Sequence, residues 1–127
     1  MVENRGLTGE SELPASRLRC VKAHIDENLR GALTLEELSA VVHMSAFHFA
    51  RLFKRSTGVS PHRFVIQRRL EQARALLAIP TISIAEIARS VGFSSPSHFA
   101  TTFRRVVGVT PSEYRGAASR TSQPDSA

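Results

Sequence analysis

The sequence predicts an all-α fold of seven helices, arranged as two helix-turn-helix subdomains joined by a long central helix. Three observations predict it: a passage that occurs twice, helix-capping signals at matched places, and apolar residues spaced by three and four. Ser45–Phe64 reads SAFHFARLFKRSTGVSPHRF and Ser95–Tyr114 reads SPSHFATTFRRVVGVTPSEY. Nine of those twenty positions are identical, among them His48/His98, Phe49/Phe99, Phe53/Phe103, Arg55/Arg105 and Gly58/Gly108. A repeat of this kind is two copies of one supersecondary unit.

The elements follow in order. Ala15–Asn28 is patterned as a helix. Thr34-Leu35-Glu36-Glu37 fits a capping box, in which hydroxyl and carboxylate satisfy first-turn amides reciprocally, and opens a short helix over 35–42. Ser45 caps a longer helix over 46–57, and Gly58 ends it with a residue that tolerates positive φ. Ser60-Pro61 opens the central helix, 61–78, with proline where its missing N–H costs nothing. Ser83-Ile84-Ala85-Glu86 repeats the box before 84–91. Ser95-Pro96 opens 96–107, Gly108 ends it, and Thr110-Pro111 starts a last helix over 111–115. The units 35–57 and 84–107 are each a short helix, a turn and a longer helix, which is helix-turn-helix spacing.

Periodicity assigns the faces. Phe49, Leu52, Phe53 and Ser56 form a core stripe in the first long helix, and Phe99, Phe103 and Val106 are expected inward in the second. The opposite face carries Phe47, Ala50, Arg51 and Lys54 in one copy and Ser97, Ala100, Thr101 and Arg104 in the other. Small residues there permit close approach, and long donors can reach base edges when a helix enters the major groove. A merely solvated face would also carry charge, but its repetition in a basic segment favours binding. Ile66, Leu70, Ala73 and Leu77 lie along one face of the central helix, a rod of about 27 Å. Its length suits two reading heads one duplex turn, about 34 Å, apart. Arg63, Arg68, Arg69 and Arg74 are its outward charges, divided between phosphate contact and solubility.

The chain has 127 residues and net charge +6. Residues 15–116 hold 15 of the 17 basic and 7 of the 11 acidic residues, net +8. So basic a folded segment argues for an acidic partner, and nucleic acid suits it better than a membrane surface. No apolar run approaches the length of a membrane span, and the acidic start lacks a signal-peptide pattern. The single Cys20 cannot pair internally, fits a reducing compartment, and reads as a small buried or half-buried side chain. Five histidines (His24, His43, His48, His62 and His98) lack metal-ligand spacing, so neither metal nor cofactor is expected. No phosphate loop, nucleophile elbow or acidic pair suggests an enzyme. The polar ends 1–14 and 117–127 are expected to be flexible tails.

The stretch 35–64, followed by SIAEIARSVGFSSPSHFATTFRRVVGVTPSEYR over 83–115, resembles the DNA-binding domain of AraC/XylS transcription regulators. The resemblance covers about residues 15–116, and its second-copy motifs are specific. It implies recognition helices in successive major grooves of double-stranded DNA. By position it gives base reading to Phe47, Ala50 and Arg51 in the first helix, and to Pro96, Ser97, His98 and Thr101 in the second. Phosphate contacts are expected from Ser45, Lys54, Arg55, Ser95, Arg104 and Arg105, with the amides at the helix starts. RNA polymerase is a second candidate partner, and the expected setting is a bacterial cytoplasm, associated with the nucleoid. Activity as a monomer is expected, because both heads share one chain.

Two departures stand out. The family commonly presents Arg where this chain has Thr101, so most sequence specificity is expected from the first copy. His43 occupies the turn position that Gly92 holds in the second. Most similar regulators carry a sensor or dimerisation domain ahead of this part, whereas only 14 residues precede it here. A small stand-alone member and a piece of a longer one both remain open. The rival reading is a protein-interaction adaptor with weak or non-specific DNA binding.

Overall fold

The computed structural model describes residues 12–121, with side chains through 118. Among these residues lie seven helices and no strand. They are α1 (Ala15–Glu27), α2 (Leu35–Val41), α3 (Ala46–Thr57), α4 (Pro61–Leu77), α5 (Ile84–Ser90), α6 (Pro96–Val107) and α7 (Pro111–Thr121). The chain forms two compact units that divide between Arg68 and Arg69, within α4.

In the first unit, Val21, Ile25, Leu38, Val42, Phe49, Leu52, Phe53 and Val65 form the core, joined by Leu13. Phe53 packs against Phe49 at 5.5 Å and edge-on to Phe64 at 5.3 Å between ring centroids. Such aromatic pairs add about 0.5–1.5 kcal/mol to the burial itself. Leu13 lies inside the segment expected to be a tail. It is buried, and its amide donates to Ser56 Oγ at 2.8 Å. The rest of the expected N-terminal tail, 1–11, lies outside the described residues, as does 122–127.

The second unit repeats the plan with Ile87, Ala88, Val91, Phe93, Phe99 and Phe103 buried. The rings of Phe93, Phe99, Phe103 and Tyr114 continue one another at 5.3–5.6 Å. Arg115 ties the unit together by donating to the carbonyls of Leu77, Ile79 and Ile82. The carbonyls at the end of α4 and in the following loop are thereby satisfied by one guanidinium. Helix α7 runs six residues past the expected Arg115. Its start adds to the expected cap a reciprocal box: Glu113 N–H donates to Thr110 Oγ1 and Thr110 N–H to Glu113 Oε1. That amide, more than the nearby Arg104, holds the Glu113 carboxyl below its ordinary range. Its contribution is therefore present above the unfolded-state pKa and lost as pH falls through the folded one.

Several expectations need correction. Val106 is 49% exposed, and Thr102 takes the buried place beside the phenylalanines. In α4, Val65 is buried where Ile66 was expected, while Leu70, Ala73 and Leu77 are buried as read. Cys20 is exposed, on the side of α1 away from the buried Val21 and Ile25. The box at Thr34 is half-formed: Glu37 N–H reaches Thr34 Oγ1, but the Glu37 carboxylate turns to His24 Nε2 at 2.8 Å. Ser83 and Glu86 complete theirs.

Both helix-turn-helix turns begin with the same backbone device. His43 N–H donates to Ala40 O and Met44 N–H to Ser39 O; Gly92 donates to Arg89 O and Phe93 to Ala88 O. These are Schellman closures, which require positive φ at the first residue after the helix cap. His43 has φ +57° and Gly92 φ +102°. His43 is exposed, so no packing repays its left-handed backbone. In thermal melts His43→Gly is expected to be neutral or stabilising. Gly108, with φ +102° and nothing within 4 Å of a Cβ placed there, should lose about 1–2 kcal/mol on change to Ala, from backbone strain alone. Among the described residues, the buried Thr102 Oγ1 has no hydrogen-bond partner. Thr102→Val should therefore raise stability by about 1 kcal/mol in chemical denaturation, and a loss would reveal a partner for the hydroxyl.

Candidate nucleic-acid interface

Helices α3 and α6 are amphipathic, and burial of one face decides what the other can present. In α3, Phe49, Leu52 and Phe53 are buried, so Phe47, Arg51, Lys54 and Arg55 emerge exposed with Ala50 half-buried between them. In α6, Phe99, Thr102 and Phe103 are buried, and Pro96, Ser97, His98, Thr101, Arg104 and Arg105 are exposed around the half-buried Ala100. Within each unit one exposed stripe results, Phe47, Arg51 and Lys54 on α3 and Ser97, Thr101 and Arg104 on α6, with Pro96 and His98 flanking the second at its start.

The starts of both helices are fixed by serine. Ser45 Oγ accepts from His48 N–H at 3.2 Å, and Ser95 Oγ accepts from His98 N–H at 3.1 Å. The two hydroxyls are therefore engaged as caps. What each helix start offers an anion is its remaining first-turn amides and the positive end of the helix dipole. Pro96 removes one such amide from α6. The turn before α6 is also one residue longer, since Ser94 has no counterpart between Met44 and Ser45. Ser95 accordingly adopts φ −147°, against −68° at Ser45. Matching the two copies by their short-helix caps (Thr34 with Ser83) and then by their long-helix caps (Ser45 with Ser95) exposes this insertion in the sequence.

The two faces differ in texture. On α3 the Arg51 guanidinium lies over the Phe47 ring, 5.6 Å from its centroid. Phe47 is 76% exposed. On α6 the corresponding positions hold Ser97 and Thr101, and a depression of about 460 Å³ opens among Ala100, Thr101, Arg104, Arg105 and Thr110. Ala50 and Ser60, the counterparts of Ala100 and Thr110, line a depression of about 320 Å³ in the first unit, with Leu33 and Leu38 on its wall. His98 stands edge-on to Phe93 at 5.3 Å, a contact with no parallel at His48, whose turn lacks the ring. Phe93 and Thr110 thus border this face, although neither is among the contact residues expected from the sequence.

The charges of α4 are partly spent internally. Arg68 grips Asp26 with Nε to Oδ1 at 2.8 Å and Nη2 to Oδ2 at 2.9 Å, and Arg74 lies over the Tyr114 ring at 5.5 Å. Arg69 is half-buried, which lowers its guanidinium from the usual value, and Arg63 is exposed. Among the described residues, no helix is long and apolar enough to cross a membrane. Nor does any group of three or more His, Cys, Asp or Glu there suit a metal ion.

Residues 38–117 match the family model of a helix-turn-helix domain. The chain is similar to a transcriptional regulator from Chromobacterium violaceum described as having an AraC-type DNA-binding domain. The TM-score is 0.76 at 31% identity, over 82% of this chain and 93% of that one. The chain belongs to the AraC-type helix-turn-helix family. This AraC-type chain is also similar to the DNA-binding domain of AdpA, solved in complex with a target DNA. There the TM-score is 0.77 at 37% identity, over 86% of this chain and 97% of that one. Among curated proteins, it is 37% identical over 122 residues to the regulatory protein PocR of Salmonella typhimurium. It matches the probable transcriptional regulator LumQ of Photobacterium leiognathi at 31% identity over 109 residues. It spans 39% of the length of PocR and 44% of that of LumQ.

In the AraC-type domain the serine caps hold the exposed faces in register with their turns. Ser45→Ala and Ser95→Ala should each cost about 1 kcal/mol of stability, read from denaturant midpoints. An unchanged midpoint at both sites would show that other contacts set these helix starts.

Proposed function

We propose that this chain is the DNA-binding module of a transcription regulator, recognising a specific double-stranded sequence with α3 and α6 in successive major grooves. The observation that carries the reading is the duplicated exposed face. Two helices of one family-typical plan each present small residues and two or more cations, anchored by buried phenylalanines behind. Similarity to the AdpA domain, whose structure was solved on a target DNA, supports the same partner here.

Roles follow from chemistry. Phe47, Ala50 and Arg51 read bases from α3, and Pro96, Ser97, His98 and Thr101 face bases from α6. Lys54, Arg55, Arg104 and Arg105, with the amides beside Ser45 and Ser95, hold phosphates and set register without reading sequence. Thr101 cannot make the bidentate guanine contact open to Arg51, so α3 carries most of the discrimination, about 1–3 kcal/mol at that base pair. The module works in the cytoplasm and on the nucleoid, with no catalytic step. One chain suffices for both contacts, and the site need not be palindromic.

Binding titrations test this directly. With about six phosphate contacts, affinity should fall about 10³-fold between 50 and 200 mM salt. Arg51→Ala should erase more sequence preference than Thr101→Ala. A flat salt response, or equal affinity for every duplex, would contradict the proposal and favour a protein-docking role.

A further inference from the structure

Phe47 is the most exposed large apolar side chain among the described residues, 76% open to solvent. The other exposed ones, Ile79, Val106 and Val109, are 38–49% exposed. Phe47 is the second residue of α3 and stands outside the buried core of its unit, with Arg51 stacked on its ring. The guanidinium stands 5.6 Å from the ring centroid, one turn further along the same face. The ring and the cation therefore present one composite surface: an apolar disc beside a planar, forked donor. Stacking on the ring limits the orientations of the guanidinium before anything is bound.

In the major groove those two halves have distinct complements. A guanidinium fork matches O6 and N7 of guanine, and an apolar ring matches the pyrimidine 5-methyl group, which only thymine carries among the ordinary bases. Neighbouring base pairs are stacked about 3.4 Å apart along the duplex. A spacing of 5.6 Å between ring and guanidinium suits two adjacent pairs and is too short for features several pairs apart. Ala50, half-buried next to them, adds only a methyl and leaves the approach clear. At the matching places of α6 stand Ser97 and Thr101, so the composite surface belongs to α3 alone.

We propose that the Phe47–Arg51 pair reads a methylated pyrimidine next to a guanine, with Arg51 taking the guanine and Phe47 the 5-methyl group. This rests on the DNA-binding reading above and adds the chemistry that one head selects. The methyl group is the recognised feature, so 5-methylcytosine can stand in for thymine, and binding at such a step is sensitive to cytosine methylation. A bare cytosine or a uracil at that place leaves the ring against a flat edge with nothing to cover.

The test begins with duplexes selected by the chain from a random pool. Each thymine of the selected site is replaced singly by deoxyuridine, which removes the methyl group and nothing else. One thymine adjacent to a guanine should show a loss of about fourfold in affinity, the fold-change that burying one methyl is worth. At that place 5-methylcytosine should bind more tightly than cytosine by a similar factor. Phe47→Ala should bring both ratios to one while keeping the guanine preference, and Arg51→Ala should remove that preference. Phe47 is exposed, so its replacement leaves the fold intact, which a thermal melt verifies. If a specific site is selected but every deoxyuridine exchange is neutral, or the ratios persist in Phe47→Ala, the methyl reading is overturned while the DNA-binding reading stands. If no duplex is enriched, both fall together.

Discussion

Two phenylalanines one turn apart, fully buried, govern everything that either long helix shows to solvent. Phe49 and Phe53 fix the rotation of α3 about its axis, and Phe99 and Phe103 do the same for α6. Turning either helix by the angle of one residue, about 100°, would expose a phenylalanine and bury a cation, at several kcal/mol from each change. The outward face is thus determined by the inward one. Arg51 and Arg104 owe their exposure to rings that are themselves fully buried.

Around that lock, the two units solve the same local problems with different residues. Each turn needs one left-handed residue: the second unit uses glycine, and the first accepts strain at His43. Each long helix needs a cap, and both use serine, although Ser94 lengthens the turn in front of the second. Each last contact of the helix needs a cover. Ser56 takes the amide of Leu13, whereas Val106 at the matching place stays half open. The repeat is a shared scaffold with divergent faces, and among the differences are the exposed pairs Phe47/Ser97 and Arg51/Thr101.

Much of this was legible in the sequence because its signals are local. Serine caps, glycine stops and the phenylalanine spacing act within a turn or two, so the starts of all seven described helices fall where they were expected. The AraC-type plan was legible from motif density in the second copy. What escaped depends on distant residues. Val106 has the right spacing for burial, but only tertiary packing decides whether anything covers the end of α6. Glu37 fits a capping box until His24 offers its carboxylate a nearer partner. Arg68 and Arg74 read as outward charges, divided between phosphate contact and solubility, because Asp26 and Tyr114 lie 40 or more residues away in sequence. The exposed face of α3 was identified, but the ring-on-guanidinium stacking that makes it a composite surface required coordinates.

The claim on which the account depends is that both long helices meet DNA through the faces their phenylalanines leave outside. Hydroxyl-radical footprinting of the chain on its preferred duplex tests it most directly. Two protected windows about one helical turn apart on one side of the duplex are expected. Substitution of Arg51 should weaken one window, and that of Arg104 the other. A single window, or two that fade together whichever arginine is replaced, would contradict it.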